Sequence, residues 1–305
     1  MSKYLVIGAG GTGGVLGAYL ARKGKNVTLI ARGKHLEAMR KNGLRVIRPS
    51  DSFTVQPVRA CTMEEYDERP DVILVCVKGY SLEPLYPFIR RVADAHTIVI
   101  PILNIYGTGA VMQKELPGIL VLDGCIYVAA QLLEPGVILM SGNILRVVFG
   151  VRKPEEYRPV LKEIAADLKD CGIGGGLSDQ IQKDALLKFS YVSPQGACGL
   201  YYGVSAGAMQ KEGPSREFFC ELVHEIDLLA QAQGIYFSED IVRRNLDILD
   251  ALDPDMTTSM QKDIAAGRNS EIDGLIFSVI RMAHQLGVEV PAYEKAAEKL
   301  EQYHS

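Results

Sequence analysis

Up to about residue 150 the chain alternates short runs of β-branched and aliphatic residues with stretches of helical spacing. The runs Tyr4–Ile7, Val27–Ile30, Val72–Val77 and Thr97–Ile100 are continuously apolar instead of alternating. A strand buried on both faces reads this way, so the pattern predicts parallel βαβ units. Further on, two strand-like runs, Val121–Leu133 and Val137–Val148, flank Glu134-Pro135-Gly136. Pro followed by Gly between strands predicts a tight reversal, and an antiparallel hairpin is expected to complete the sheet.

After a helical stretch at Glu155–Lys169 comes Cys171-Gly172-Ile173-Gly174-Gly175-Gly176, the densest glycine cluster of the second half, which reads as a hinge or linker. Beyond Ser178 nearly everything has helical spacing, including Ser215–Gln233, Ser238–Leu252, Thr258–Ala266 and Ser270–Leu286. The fold class expected is α/β. A parallel-sheet domain over residues 1–172 is expected to precede an all-α domain over residues 173–305.

The length of 305 residues suits two cores. With 33 Lys plus Arg against 37 Asp plus Glu the net charge is −4, so there is no basic field to recruit nucleic acid or anionic lipid. No apolar run reaches the 18 or so residues of a membrane span. The start, Met1-Ser2-Lys3, runs directly into the first strand without a signal-peptide pattern, and the expectation is a soluble cytoplasmic protein. Cys61, Cys76, Cys125, Cys171, Cys198 and Cys220 form no CxxC pair, which predicts reduced thiols, no disulfide framework and no metal site.

Candidate chemistry begins at Gly8-Ala9-Gly10-Gly11-Thr12-Gly13, which follows an apolar strand and opens a helix, matching G-x-G-x-x-G in its required context. Glycines there admit a pyrophosphate to the backbone at the positive end of the helix, so residues 1–172 are expected to form a Rossmann dinucleotide-binding domain and residues 173–305 the helical substrate and catalytic domain. An NAD site usually carries Asp or Glu after the second strand; here the chain reads Ala31-Arg32-Gly33-Lys34. Arg32 and Lys34 offer cations to a 2′-phosphate, so the cofactor expected is NADP(H). Lys78 and Asn104 follow the third and fourth strands and should emerge at the carboxyl edge where ligands collect, although either residue could equally be an ordinary loop residue. In the helical half, Lys188 stands among Leu186, Leu187, Phe189 and Val192, an apolar setting for an ammonium. Burial would lower its pKa towards proton donation, while an i,i+4 pair with Asp184 is the alternative. Glu271 should lie in the first turn of a helix started by a box-like Ser270 and Asp273. The five histidines sit in no recognisable catalytic setting.

These residues resemble the ketopantoate reductase (2-dehydropantoate 2-reductase) family over nearly the whole chain. The most specific part is Ser259-Met260-Gln261-Lys262-Asp263-Ile264-Ala265-Ala266-Gly267-Arg268, then Glu271-Ile272-Asp273, then Gly287-Val288-Glu289-Val290-Pro291. The resemblance implies that Lys188 polarises and protonates a ketone, that Glu271 supports it, and that Ser259 lies near the substrate carboxylate. It also puts Lys78 and Asn104 at the cofactor and active-site cleft and Arg32 at the 2′-phosphate. The activity implied is NADPH-dependent reduction of a 2-oxo acid, ketopantoate to pantoate, in pantothenate and coenzyme A biosynthesis. The sequence is compatible with a homodimer.

Two departures stand out. The family usually carries asparagines four and eight residues after the lysine, where this chain has Val192 and Gly196; Gln195 lies on nearly the same helical face as a substitute, with Pro194 able to kink it away. Asn104 is followed by Ile105-Tyr106-Gly107, where the family generally has Gly directly after Asn. The readings left open beside ketopantoate are a different ketone and a non-catalytic NADP(H)-binding regulator.

Overall fold

The computed structural model describes residues 2–304, and its backbone separates into two units. The first comprises residues 1–103 and 107–182, the second residues 104–106 and 183–305.

In the first unit the order is β1 (Lys3–Ile7), α1 (Gly11–Arg22), β2 (Asn26–Ile30), α2 (Gly33–Asn42), β3 (Leu44–Ile47), β4 (Ser52–Val55), β5 (Ala60–Cys61), β6 (Val72–Val75), α3 (Tyr86–Val92), β7 (Ile98–Pro101), α4 (Thr108–Glu115), β8 (Leu120–Val121), β9 (Asp123–Tyr127), β10 (Ala130–Glu134), β11 (Val137–Met140), β12 (Arg146–Gly150), α5 (Val160–Asp170) and β13 (Gly174–Leu177). A six-stranded sheet, β5-β2-β1-β6-β7-β8, is parallel throughout. Its central strands explain the continuous apolar runs, because alternate residues serve two cores. Tyr4, Val6, Val72, Leu74, Ile98 and Ile100 pack into one cluster with α1 and α5. Leu5, Ile7, Ile73, Val75 and Val99 pack into another with Phe88, Ile89 and Val92 of α3. The strand order turns around at β1 and β6, the switch point outside whose carboxyl ends open α/β sheets bind ligands.

Two expectations are corrected. The hairpin around Glu134-Pro135-Gly136 forms, but it does not complete the parallel sheet. β10 and β11 join β3 and β4 in a separate four-stranded sheet, β11 lying parallel to β3. The reason is the apolar face of α1, which packs against β10 and β11, so that Ile138 and Met140 join the core that α1 shares with the parallel sheet. The glycine cluster is not a hinge. Gly174–Leu177 is a strand, parallel to β12 and hydrogen-bonded along its length, so the first unit extends through residue 182. Glycine weakens a strand without forbidding one, and the ladder to Arg146–Phe149 supplies the pairing its backbone requires.

The second unit is helical as expected. It holds α6 (Ile181–Tyr202, entering from residue 183), α7 (Ala206–Met209), α8 (Pro214–Ala232), α9 (Ile241–Asp250), α10 (Ser259–Ala265), a π-helical segment (Asp273–Phe277) running into α11 (Ser278–Leu286), and α12 (Pro291–Leu300). One core joins Phe189, Phe219, Leu222, Ile226, Leu249, Ile276 and Tyr293. The buried carboxylate of Glu225 is accounted for at the start of α12, where it accepts the N–H groups of Ala292 and Tyr293 at 2.6 and 3.0 Å. All six cysteines are free thiols. Among the described residues no helix is long and apolar enough to cross a membrane, and no cluster of His, Cys, Asp and Glu could hold a metal ion.

Candidate active site

The glycine-rich turn sits between β1 and α1 at the switch point. Gly8 takes a φ of +95°, which the tight exit from β1 requires and an L side chain resists. A Cβ on Gly13 would lie 2.1 Å from the Gly8 carbonyl oxygen, so only glycine lets α1 start this close to the strand. Gly10, the N-cap of α1, differs: a Cβ there would meet nothing within 4 Å. The open side of Gly10, at the N-terminal end of a twelve-residue helix, fits a pyrophosphate. Thr12 follows within the first turn.

Arg32 is the N-cap of α2, directly after β2, and both Arg32 and Lys34 are exposed. Lys78 is half-buried at the carboxyl side of β6, which ends at Val75, two residues before the sequence pattern suggests.

In the helical unit Lys188 lies on α6, only 9% exposed, and its Nζ donates to Asn104 Oδ1 at 2.6 Å. Asn104 leaves the end of β7 in sequence yet belongs to the helical unit, as do Ile105 and Tyr106. Here the departure from the family's Asn-Gly has a structural meaning. The Ile105 side chain fills the space beside Gly274, where a Cβ would come within 2.2 Å of it. Tyr106 tilts against Phe189 at 6.1 Å and donates its hydroxyl proton to Gln233. These two residues therefore hold Asn104 against the helix that carries Lys188.

Glu271 is buried at 5% exposure, and its position corrects the expected capping box. Helical geometry begins at Ile272, and the Glu271 carbonyl accepts the first bond, from Leu275 N–H at 2.9 Å, so Glu271 occupies the capping place instead of Ser270. Asp273 is exposed and bonded to Arg281 instead of closing a box. The π-helical turn that follows displaces one residue from the regular ladder, a distortion frequent at functional sites. Ser193 of α6 donates to the Leu275 carbonyl within that turn and accepts from Tyr293, tying the helix of Lys188 to the segment of Glu271. One turn earlier on α6, Asn245 donates to the Ser190 carbonyl and hydroxyl.

Ser259 is exposed at the first position of α10; the cap is Thr258, in a capping box with Gln261, so the Ser259 hydroxyl is not needed for capping. Gln195 is buried, and α6 runs on through Pro194. Gly196 receives α10 closely: a Cβ there would lie 2.6 Å from the Met260 methyl. Val192, one turn after Lys188, is half-buried. The anchors Ile105, Tyr106, Ser193 and Gly274 escape sequence reasoning because each acts through a partner remote in the chain; the only local signal is the odd Ile-Tyr after Asn104.

Residues 4–154 match the family model described as ketopantoate reductase PanE/ApbA, and residues 180–304 match its C-terminal counterpart. The chain is similar to a 2-dehydropantoate 2-reductase of Halobacterium salinarum, 26% identical, with 97% of each chain covered. A crystal structure of a 2-dehydropantoate 2-reductase from Porphyromonas gingivalis W83 superposes with a TM-score of 0.83 at 28% identity, covering 98% of this chain and 99% of that one. The same fold appears in a ternary structure of D-mandelate dehydrogenase with NADH and anilino(oxo)acetate, with TM-score 0.86, 21% identity and coverage of 99% and 100%. With both halves matched, the chain belongs to the ketopantoate reductase family and is an oxidoreductase.

Proposed function

We propose that this chain reduces a 2-oxo acid with NADPH, ketopantoate to pantoate in the cytoplasmic synthesis of pantothenate and coenzyme A. The observation that carries the reading is the buried Lys188 ammonium held by Asn104 in the helical unit. The bound cofactor supplies a hydride. The side chains must then stabilise the oxygen that becomes an alkoxide and deliver a proton to it. An ammonium has three N–H donors, and the Asn104 bond orients the group while it donates to the ketone oxygen. Glu271 supports the lysine and the substrate, Ser259 binds the carboxylate, and Gln195 contributes from α6. On the cofactor side Gly8, Gly10, Gly11, Thr12 and Gly13 cradle the pyrophosphate, Lys78 lines the crevice, and Asn104 also approaches the nicotinamide. The choice of NADPH over NADH rests on the exposed Arg32 and Lys34 and on the lack of an acid after β2.

NADPH oxidation followed in the presence of a panel of 2-oxo acids tests the reading. Turnover of ketopantoate is expected; binding of NADPH without turnover of any member would make the protein a non-catalytic regulator.

A second reading, a reductase of this family with a different ketone, is favoured by Val192 and by the Met260 methyl that covers Gly196. Neither offers a hydrogen bond to a substrate hydroxyl. Ketopantoate and 3,3-dimethyl-2-oxobutanoate differ only in that hydroxyl, so their kcat/KM ratio decides between the two readings.

A further inference from the structure

His35 lies on α2, three residues after Arg32, and is half-buried between two backbone segments of the first unit. Its Nδ1 is 2.9 Å from the backbone nitrogen of Gly136, at the tip of the β10–β11 hairpin. A backbone N–H can only donate, so Nδ1 must be unprotonated. The ring's proton then sits on Nε2, which is 2.8 Å from the carbonyl oxygen of Ala9 inside the glycine-rich turn. Both ring nitrogens are thus committed, in one tautomer, to opposite tasks.

The Ala9 bond controls what the turn presents. In a planar trans peptide the C=O and the following N–H point in opposite directions, so anchoring Ala9 O on the ring directs the Gly10 N–H away from it. Gly10 is the N-cap of α1 with open space beside it. The hairpin end of the bridge is equally fixed, since Gly136 O accepts from Arg45 of β3, and the Ala130 backbone of β10 would meet a Cβ on Gly11 at 2.5 Å.

We propose that His35 is a positioning residue for the cofactor turn, holding Ala9 and Gly136 together only as a neutral ring, so that acidification loosens the turn and weakens dinucleotide binding. This rests on the reading of that turn as the cofactor cradle. A proton on Nδ1 would face the Gly136 N–H, donor against donor, and the bridge would open. Burial holds the ring's pKa below the ordinary histidine value, opposed by the Ala9 carbonyl, and no charged side chain enters the balance. The charged groups nearest in sequence, Arg32, Lys34 and Glu37 on α2, Glu134 in the hairpin and Arg45 on β3, are exposed, and Gly8–Gly10 carry none. The sign follows from that direction. The folded ring binds its proton less readily than the unfolded one, so the stabilisation is complete above the ordinary value near 6.5 and is lost as pH falls below it.

The test uses the full-length protein and two variants. Gln at position 35 can accept with its oxygen and donate with its nitrogen without titrating; Ala can do neither. NADPH dissociation constants are measured by fluorescence from pH 8 to 5.5. His35→Gln should bind within about twofold of the wild type at pH 8, and His35→Ala about threefold to tenfold more weakly throughout. The wild type should lose about threefold to tenfold relative to His35→Gln on acidification; that ratio cancels titration of the 2′-phosphate, common to both. Nitrogen-15 NMR of the cofactor-free protein should show His35 protonated on Nε2 alone at pH 7.5. Superimposable wild-type and Gln profiles, tighter wild-type binding in acid, or a proton on Nδ1 would overturn the proposal. Failure of the wild type to bind NADPH or NADH at any pH would instead strike the cofactor reading beneath it, and the proposal with it.

Discussion

The first unit builds its candidate pyrophosphate cradle from one turn, Gly8 to Gly13, whereas the helical unit gathers Asn104, Lys188, Ser259 and Glu271 from four separated segments. A pyrophosphate is recognised by backbone N–H groups, and what backbone needs is room and the right dihedral angles, which glycine spacing supplies locally. A ketone must be polarised by side-chain donors brought out of water, and that requires packing of remote segments. Damage to the first unit should therefore appear in cofactor binding, and damage to the second in turnover.

The sharpest break is Lys188→Ala. Removing a preorganised donor at a developing oxyanion should lower kcat about 10²- to 10³-fold while the NADPH dissociation constant stays within about twofold. Near-normal kcat in a variant shown to be folded by circular dichroism would move the chemistry away from α6.

Gly13→Ala probes the other region. A Cβ 2.1 Å from the Gly8 oxygen forces α1 away from β1. Overpacking of this kind costs about 1–3 kcal/mol, so NADPH affinity should fall by about tenfold or more, with kcat at saturating cofactor much less affected. Loss of kcat without loss of affinity would contradict the division between the units.

Arg32→Asp sharpens the cofactor half further. An acid after β2 repels a 2′-phosphate and can accept from a ribose hydroxyl, so the ratio of kcat/KM for NADPH over NADH should drop about tenfold. An unchanged ratio would mean that Arg32 does not read the phosphate.

The smallest effect is expected for Val192→Asn, which returns one hydrogen-bonding group to the strip after Lys188. Preference for ketopantoate over its deoxy analogue should rise about threefold to tenfold, read as a ratio of kcat/KM values.

Features whose placement is set by the local sequence could be found without the fold. The G-x-G-x-x-G turn, the basic pair after β2, and the helical second half with Lys188 in an apolar stretch belong to this group. The glycine run 174–176 misleads for a related reason: composition suggests a flexible linker, but strand pairing is decided by whichever edge lies alongside, here β12. His35 carries no local signal, because its partners, Ala9 and Gly136, are 26 and 101 residues away.

By itself the sequence determined the class of each half, since hydrophobic period and glycine position act within a few residues and survive in any context. Only the tertiary structure decided that the hairpin builds its own sheet, that Asn104 belongs with the helical unit, and that Glu271 caps a distorted helix. Those outcomes depend on which remote surfaces meet and on how each buried backbone group and ammonium finds a partner once water is excluded.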